Sequence, residues 1–170
     1  MSCKCNEVVE ILFSKENDRC IIPSKLDDDA GRDLYADPSI GLIRIKPLET
    51  KMIPTGIRAI IPQNYYAQIQ ERGSTGVKAM KYGAGVIDSS YRGIWNIVIT
   101  NCNNKDIVIY DDKTIKFDGN ENEIPYPMSK AIAQFVLLPV PKVTITEVSP
   151  SKILENKSER MEGKLGSSGK

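Results

Sequence analysis

The stretch LIRIKPLETKMIPTGIRAIIP, residues 42–62, decides the fold class. Apolar and polar residues alternate along much of it, and alternation places the two kinds of side chain on opposite faces of a β-strand. Pro47, Pro54 and Pro62 divide the stretch, because a proline has no N–H to donate inside a sheet. The pattern predicts several short strands separated by turns.

Runs of the same kind cover most of the remaining chain. They are VVEILF (8–13), AGRDLYA (30–36), YYAQIQERG (65–73), GIWNIVITN (93–101), IVIY (107–110), KAIAQFVLLPVP (130–141) and VTITEV (143–148). Short strands at this spacing, punctuated by glycine and proline, are typical of a β-sandwich or barrel. One segment, STGVKAMKYG (74–83), predicts a helix that Ser74 or Thr75 caps and Gly83 ends.

The bulk composition limits the classes of function. The chain has 170 residues, which is enough for one domain with a real core. Its 23 basic and 22 acidic residues give a formal net charge of +1, which argues against binding nucleic acid or membrane through bulk charge. No apolar run approaches the ~20 residues of a membrane span, and the first ten residues lack the order of a secretory signal. We therefore expect a cytoplasmic protein.

The absence of histidine restricts the chemistry further. A chain without histidine cannot form a Ser-His-Asp or Cys-His nucleophile. Its four cysteines are too scattered for a disulfide framework, and Cys3 and Cys5 have no second close pair that would complete a zinc site. Catalysis would fall to a carboxylate, a lysine, a tyrosine or a bound metal.

Three segments carry residues suited to a phosphate-containing ligand. In GVIDSSYRG (85–93), Asp88 ends an apolar run, so it either caps a turn or acts as a general base. The segment ERGSTG (71–76) brings an arginine and two hydroxyls to a predicted helix start, where an anion or only a cap would fit. The tail RMEGKLGSSG (160–169) mixes cations, hydroxyls and glycines, as would a mobile end or a segment that folds over a polyphosphate.

The order of these segments resembles that of a known family. AGRDLYA, ERGSTG, GVIDSSYRG, KAIAQ and RMEGKLGSSG, in that order on an all-β chain, are similar to the five motifs of trimeric deoxyuridine triphosphatases (dUTPases). The resemblance implies a jelly-roll-like β-barrel with one short helix and a flexible C-terminal arm. The barrel would span residues 1–148, with an extended hairpin insert at 103–130, and the arm residues 149–170.

The resemblance also implies an activity. The protein would be a homotrimer whose active sites draw motifs from different subunits, and the arm would close over the nucleotide. It would hydrolyse dUTP to dUMP and pyrophosphate, which lowers dUTP and supplies dUMP for thymidylate synthesis. Mg²⁺ would sit on the triphosphate, and water activated by Asp88 would attack the α-phosphorus.

Each motif then implies roles for particular residues. The backbone of Gly85, Val86 and Ile87 would pair with uracil, and Tyr91 would pack on the deoxyribose. Asp33 would support the water shell of the metal. Arg72, Ser74 or Thr75, and Gln134 would hold the phosphates, and Arg160, Ser167 and Ser168 of the arm would clamp the γ-phosphate. The other substrate-binding residues would be Gly73 in the second motif and Lys164, Leu165 and Gly166 in the arm.

The chain departs from the family pattern at three positions. Gly73 stands between Arg72 and Ser74, so the hydroxyl on the phosphate could belong to Ser74 or Thr75. Tyr82 replaces the asparagine usual six residues before the catalytic acid, which leaves uracil recognition more dependent on backbone groups. Leu165 replaces the phenylalanine that stacks on uracil, which predicts a higher KM that Leu165→Phe should lower.

Two other functions fit parts of the pattern. One is a dCTP deaminase or a bifunctional deaminase–diphosphatase of the same superfamily, although those enzymes place a glutamate in the catalytic role. The other is a regulatory trimer, loaded with nucleotide, that captures a protein partner through residues 103–125. Viral members often carry insertions there, so a phage-type member acting in its host cytoplasm is a further expectation.

Overall fold

The computed structural model describes residues 8–158 and residue 162. Twelve strands occur in this part of the chain: β1 Leu12–Lys15, β2 Arg32–Leu34, β3 Leu42–Ile45, β4 Thr50–Pro54, β5 Ile57–Ile60, β6 Tyr65–Gln70, β7 Met80–Gly83, β8 Val86–Asp88, β9 Asn96–Asn101, β10 Asp106–Tyr110, β11 Glu123–Pro127 and β12 Ala133–Pro139. The helical elements are a 3₁₀ helix Pro38–Ile40, α1 Gly73–Gly76 and α2 Pro150–Glu155.

The strands form four sheets. Their orders are β2-β12-β6-β8, β4-β9-β7, β11-β10-β3 and β1-β5. All pairings are antiparallel except β10 with β11. The prediction of an all-β, jelly-roll-like fold is confirmed, although the sheets of the described residues do not close into one continuous barrel.

Three aromatic rings fill the centre of the core. Phe13 from β1 lies edge-on to Trp95, with ring centroids 5.5 Å apart, and Trp95 lies edge-on to Phe135 of β12 at 5.2 Å. Trp95 and Phe135 are fully buried. Edge-to-face packing is the arrangement that the ring quadrupoles favour. The cluster joins the two-stranded sheet to the four-stranded sheet that carries most of the candidate site.

The predicted helix over residues 74–83 is wrong beyond its first turn. Helix α1 stops at Gly76, and Met80–Gly83 is strand β7, which pairs with β9. Ala79, at φ +52°, breaks the helical path. Met80 is buried while Lys81 is exposed, so the alternation of a half-buried strand overrides the helix-forming residues.

The predicted hairpin insert at 103–130 is also wrong, because β10 and β11 run parallel. Residues 111–122 therefore form a crossover, since parallel strands cannot be joined by a tight turn. Ile107, Val108 and Ile109 of β10 are fully buried, and Arg44 of β3 pairs with acids at the starts of both strands, Asp106 and Glu123. These strands belong to the core.

The C-terminal part begins earlier than the predicted boundary at 148. Residues up to Val140 form one compact unit, and those from Pro141 onward form a second. The predicted strand 143–148 has no strand assignment, and its Ile145 is 93% exposed. Helix α2 follows, and the side chain of its N-cap Ser149 accepts a hydrogen bond from the Lys152 N–H. None of the helices in the described ranges has the length and apolar character needed to cross a membrane.

Candidate active site

A cleft of about 590 Å³ brings three of the five motifs together. Its lining includes Gly31 and Asp33 from the first motif, Arg72 from the second and Gln134 from the fourth. The register explains the meeting, because Gln134 of β12 lies opposite Asp33 on one side and Gln70 on the other, two residues before Arg72. The loop before β2 forms the remaining wall, with Ser24, Lys25, Leu26, Asp29 and Ala30.

Arg72 and Asp33 are paired through two contacts. Arg72 Nε lies 2.9 Å from Asp33 Oδ1, and Arg72 Nη2 donates to Asp33 Oδ2 at 3.2 Å. Arg72 Nη1 donates to the Ala131 carbonyl oxygen at 3.2 Å. A two-pronged contact fixes the plane of a guanidinium as well as its position. Both side chains stay about one-third exposed, so an anion in the cleft can approach the oriented cation.

Gln134 is held in the cleft by its neighbours. Its Nε2 donates to the Glu71 carbonyl oxygen at 2.7 Å. Its Oε1 lies where a side chain at position 31 would begin, since a Cβ built on Gly31 would be 2.1 Å away. A side chain at position 31 would therefore displace the end of Gln134, and this packing, not an unusual backbone conformation, favours glycine there.

The structure distinguishes the two hydroxyls of the second motif. Thr75 is fully buried, and its hydroxyl accepts from the Arg72 N–H at 3.1 Å and donates to the Arg72 carbonyl at 3.0 Å. Ser74 is exposed. Thr75 closes the single turn of α1 around Arg72. Of the two hydroxyls, that of Ser74 lies at the surface where a ligand can reach it.

The third motif forms a bend between two sheets. Strand β7 pairs with β9 and strand β8 with β6, so consecutive strands β7 and β8 belong to different sheets. Ala84, at φ +48°, makes the bend. A Cβ on Gly85 would lie 2.7 Å from the Ile69 carbonyl oxygen, so glycine allows the bend to approach β6 closely.

The outer edge of β8 carries unsatisfied backbone groups at Val86. The Gly85 carbonyl accepts from the Ile69 N–H at 2.7 Å, which directs Gly85 toward β6. Successive residues of an antiparallel strand direct their N–H and C=O groups to opposite sides, so Val86 directs its pair away from β6. β8 is the outer strand of its sheet within the described residues. Within Gly85–Ile87, the N–H and C=O groups that point away from β6 are therefore those of Val86.

Asp88 and Tyr91 flank the turn that follows β8. The turn is closed by the Tyr91 N–H donating to the backbone carbonyl of Asp88 at 3.1 Å, and the Asp88 side chain is exposed. The Tyr91 hydroxyl donates to the Ile94 carbonyl at 3.0 Å. The ring lies against Gly93, where a Cβ would sit 2.3 Å from the phenolic oxygen. Both side chains are presented at the surface.

Asp88 does not line the cleft of its own chain. β2 and β8 lie at opposite edges of the four-stranded sheet, and Asp88 pairs with Tyr66, four residues along β6 from Gln70. Strand spacing and rise place Asp33 and Asp88 about 20 Å apart. The substrate-binding residues predicted in the fifth motif, Arg160, Lys164, Leu165, Gly166, Ser167 and Ser168, lie outside the described residues.

Comparison with known proteins settles the family. The model of the dUTPase family matches residues 18–116. The deoxyuridine 5'-triphosphate nucleotidohydrolase of Clostridium kluyveri is 31% identical over 165 residues, covering 95% of this chain and 99% of that protein. The enzyme of Gloeobacter violaceus is 34% identical over 146 residues, covering 83% of each. This chain belongs to the dUTPase family.

Solved structures agree on the fold. The dUTPase of Staphylococcus bacteriophage 80alpha, solved with dUPNHPP, has a TM-score of 0.74 at 23% identity, covering 95% of this chain and 99% of that one. The EIAV dUTPase has a TM-score of 0.62 at 21% identity, covering 85% of this chain and all of that one. The dUTPase fold of this chain is thus similar to that of phage-encoded members.

Sequence reasoning missed several groups of this dUTPase cleft. Lys25 lines it from the loop before β2, and its Nζ donates to the Leu26 carbonyl at 2.7 Å. The feature of the sequence that could have identified Lys25 is its position shortly before the first motif. The Ala131 carbonyl, which accepts from Arg72, and Tyr126, which donates to the same oxygen at 2.7 Å, have no sequence signal.

Proposed function

We propose that the chain hydrolyses dUTP to dUMP and pyrophosphate. The observation that carries the proposal is the cleft in which Gly31, Asp33, Arg72 and Gln134 meet, at the positions where the sequence resembles the family motifs. Full-length similarity to enzymes named deoxyuridine 5'-triphosphate nucleotidohydrolase supports the same reaction. The net charge of +1 is compatible with it, because local cations are enough for a small anionic ligand.

The cleft would hold the phosphates. Arg72, oriented by Asp33, presents a planar cation that can donate two parallel bonds to phosphate oxygens. Ser74 would donate its exposed hydroxyl, with Gly73 allowing close backbone approach, and Gln134 would complete the wall. The arm would close over the nucleotide, with Arg160, Ser167 and Ser168 on the γ-phosphate and Lys164 adding a cation. Leu165 and Gly166 would also contact the substrate.

Magnesium fits the residues present. The described residues contain no cluster of three or more side chains suited to holding a metal, and Asp33 is a single carboxylate already paired with Arg72. Mg²⁺ commonly keeps several waters and binds through one or two carboxylates plus substrate phosphates. Asp33 would therefore contact the water shell of an ion held mainly by the triphosphate. When bound, the ion would neutralise charge on the phosphates.

Asp88 would act as the general base. Its exposed carboxylate would take a proton from water, the water oxygen would bond to the α-phosphorus, and the bond from that phosphorus to the bridging oxygen would break. Pyrophosphate leaves with the bond electrons. Val86 would pair its outward N–H and C=O with the uracil edge, and Tyr91 would pack on the deoxyribose and exclude a 2′-hydroxyl.

The distance between Asp88 and the cleft supports a shared site. About 20 Å separates Asp33 from Asp88 along the sheet, which is beyond the reach of one triphosphate. A second copy would bring its own Asp88 to this cleft, and repetition around a threefold axis would give the homotrimer. The exposed apolar residues Val143 and Ile145, which precede the arm, would gain partners in such an assembly.

The surface that we propose for a partner protein is smaller than the whole of segment 103–125, which the sequence indicates. The strands of segment 103–125 lie in the core, so a partner could dock without unfolding the sheet on the exposed turn at 104–105 and on the crossover at 112–122, which is mostly exposed. Such binding could coexist with catalysis. A nucleotide-loaded trimer that captured a partner but released no pyrophosphate would favour the regulatory function.

The test compares wild type with Asp88→Asn on dUTP, dTTP, dCTP and UTP. Wild type should release pyrophosphate from dUTP alone. The variant should bind a non-hydrolysable imido analogue of dUTP normally and release at most about one-hundredth as much pyrophosphate, since a general base contributes 10²–10⁴-fold. Asp118→Asn, an exposed acid of the crossover, is the matched control. Ammonia release from dCTP would instead identify a deaminase.

A further inference from the structure

The hydroxyls of one buried and one partly buried tyrosine hold consecutive carbonyls at the back of the cleft. The Tyr126 hydroxyl donates to the Ala131 carbonyl oxygen at 2.7 Å, and the Tyr82 hydroxyl donates to the carbonyl oxygen of Ile132. Tyr126, Ala131 and Ile132 are each at most 4% exposed. Tyr126 lies on β11 and Tyr82 on β7, so two sheets outside the cleft contact one short backbone segment.

The Ala131 carbonyl is also an acceptor of Arg72. A backbone carbonyl has two lone pairs, and here Tyr126 and Arg72 Nη1 each use one. The other end of the same peptide unit is fixed as well, because the Ile132 N–H donates to the Leu34 carbonyl at 2.8 Å. Leu34 directly follows Asp33, which holds the opposite side of the Arg72 guanidinium.

Burial keeps both phenols protonated and able to donate. It raises the pKa of Tyr126, and it raises the pKa of Tyr82 well above the usual tyrosine range. A hydroxyl buried in this way is costly unless it is bonded. The hydrogen bonds therefore stabilise the positions of both the tyrosine hydroxyls and the carbonyls.

We infer that Tyr126, with Tyr82, is a positioning residue for the phosphate site, acting through the Ala131–Ile132 backbone on Arg72. The inference deepens the proposed function and rests on it. It gives the insert a role in substrate binding, since β11 supplies Tyr126 from behind the cleft. Tyr82 replaces an asparagine that is usual in the family. The inference gives Tyr82 a role at the phosphate site and not at uracil.

The inference is tested with Tyr126→Phe and Tyr82→Phe, which keep the ring and remove the donor. Tyr110→Phe is the matched control, because Tyr110 lies in the same sheet and its ring packs on Phe117, with centroids 5.0 Å apart. The readouts are KM and kcat for dUTP, the Kd of the imido analogue with Mg²⁺, and the inhibition constant of deoxyuridine.

Both variants should raise the KM for dUTP and the Kd of the analogue about fivefold, the effect of one lost neutral hydrogen bond. Deoxyuridine, which has no phosphate, should bind as to wild type, and kcat should change little. Tyr110→Phe should change none of these. If both variants behave like Tyr110→Phe, or weaken deoxyuridine equally, the inference is overturned.

A double-mutant cycle locates the effect at Arg72. In an Arg72→Lys background, which lacks the planar fork, Tyr126→Phe should no longer change the Kd of the analogue. The same fivefold loss in both backgrounds would show that Tyr126 acts elsewhere and would overturn the inference. If wild type itself neither bound the analogue nor hydrolysed dUTP, the proposed function would fail instead, so the two failures are distinguishable.

Discussion

Arg72 and Asp33 face each other across the cleft with Nε 2.9 Å from Oδ1 and Nη2 3.2 Å from Oδ2. The residue expected to bind phosphate and the residue expected to support the metal are thus paired with each other. Asp33 holds the guanidinium in one plane through Nε and Nη2, and the Ala131 carbonyl accepts from its third nitrogen, Nη1. The cation and the carboxylate therefore form one unit, and a change to either should affect both roles.

Asp33→Asn should weaken triphosphate binding and magnesium dependence together. The amide can accept one bond from Arg72 but carries no charge, so we expect a roughly tenfold higher Kd for the imido analogue. The magnesium concentration at half-maximal binding should rise as well. Asp29→Asn, which lines the same cleft, is the control. Equal effects of the two substitutions, measured by calorimetry at several magnesium concentrations, would show that only general charge matters.

Removal of each of the two hydroxyls in the second motif should affect a different property of the protein. Thr75→Val removes a buried hydroxyl with two backbone bonds, so the free energy of unfolding should fall by about 1 kcal/mol. Ser74→Ala should leave the melting temperature unchanged and raise the KM for dUTP several-fold. Thermal unfolding and steady-state kinetics on both variants test this assignment, and the reverse pattern would transfer the phosphate contact to Thr75.

Gly31→Ala should displace Gln134 without changing any residue that is proposed to contact a phosphate. The new methyl group would start 2.1 Å from Gln134 Oε1, so the amide must move and lose its bond to the Glu71 carbonyl. We expect a several-fold rise in the KM for dUTP. Gly83→Ala is the matched control, since its Cβ would meet Val98 at an ordinary 3.7 Å. Unchanged kinetics in Gly31→Ala would mean that Gln134 takes no part in binding.

Asp111 should make the fold sensitive to acid. It is 2% exposed, and hydrogen bonds from the Thr114 hydroxyl and then from Arg19 lower the pKa of its carboxyl. Stability from this group is present above its unfolded pKa of about 3.9 and is lost as the pH falls through the lower folded value. Asp111→Asn should be less stable at neutral pH and should lose less stability on acidification than wild type. The stability of the exposed Asp118→Asn variant should equal that of wild type at neutral pH and at acidic pH. Urea unfolding at each pH measures these stabilities.

Periodicity predicted much of the fold, and tertiary contacts decided the rest. The alternation in residues 42–62 gave β3, β4 and β5. Alternation does not indicate which strands pair, so it predicts a hairpin in place of the parallel β10–β11 pair and a helix in place of β7. Motif order placed Asp33, Arg72 and Gln134 in one cleft, as observed. The buried contacts of Tyr126 depend on strands far apart in sequence, and a single sequence carries no pattern for them.

The separation of Asp88 from the cleft predicts that two inactive variants can restore each other. A mixture of Asp88→Asn and Arg72→Ala subunits, unfolded and refolded together, should contain sites that take Asp88 from one subunit and Arg72 from another. Random assembly of equal amounts in a symmetric oligomer makes about one quarter of the sites intact, so about that fraction of wild-type activity should return. Arg72→Ala mixed with Gln134→Ala is the matched control. Both of these residues line the cleft of a single chain, so no mixed site escapes both defects, and activity should not rise above the average of the two variants measured separately. If the first mixture also stays inactive while its trimers form, each chain must supply its own base, and the shared site is wrong.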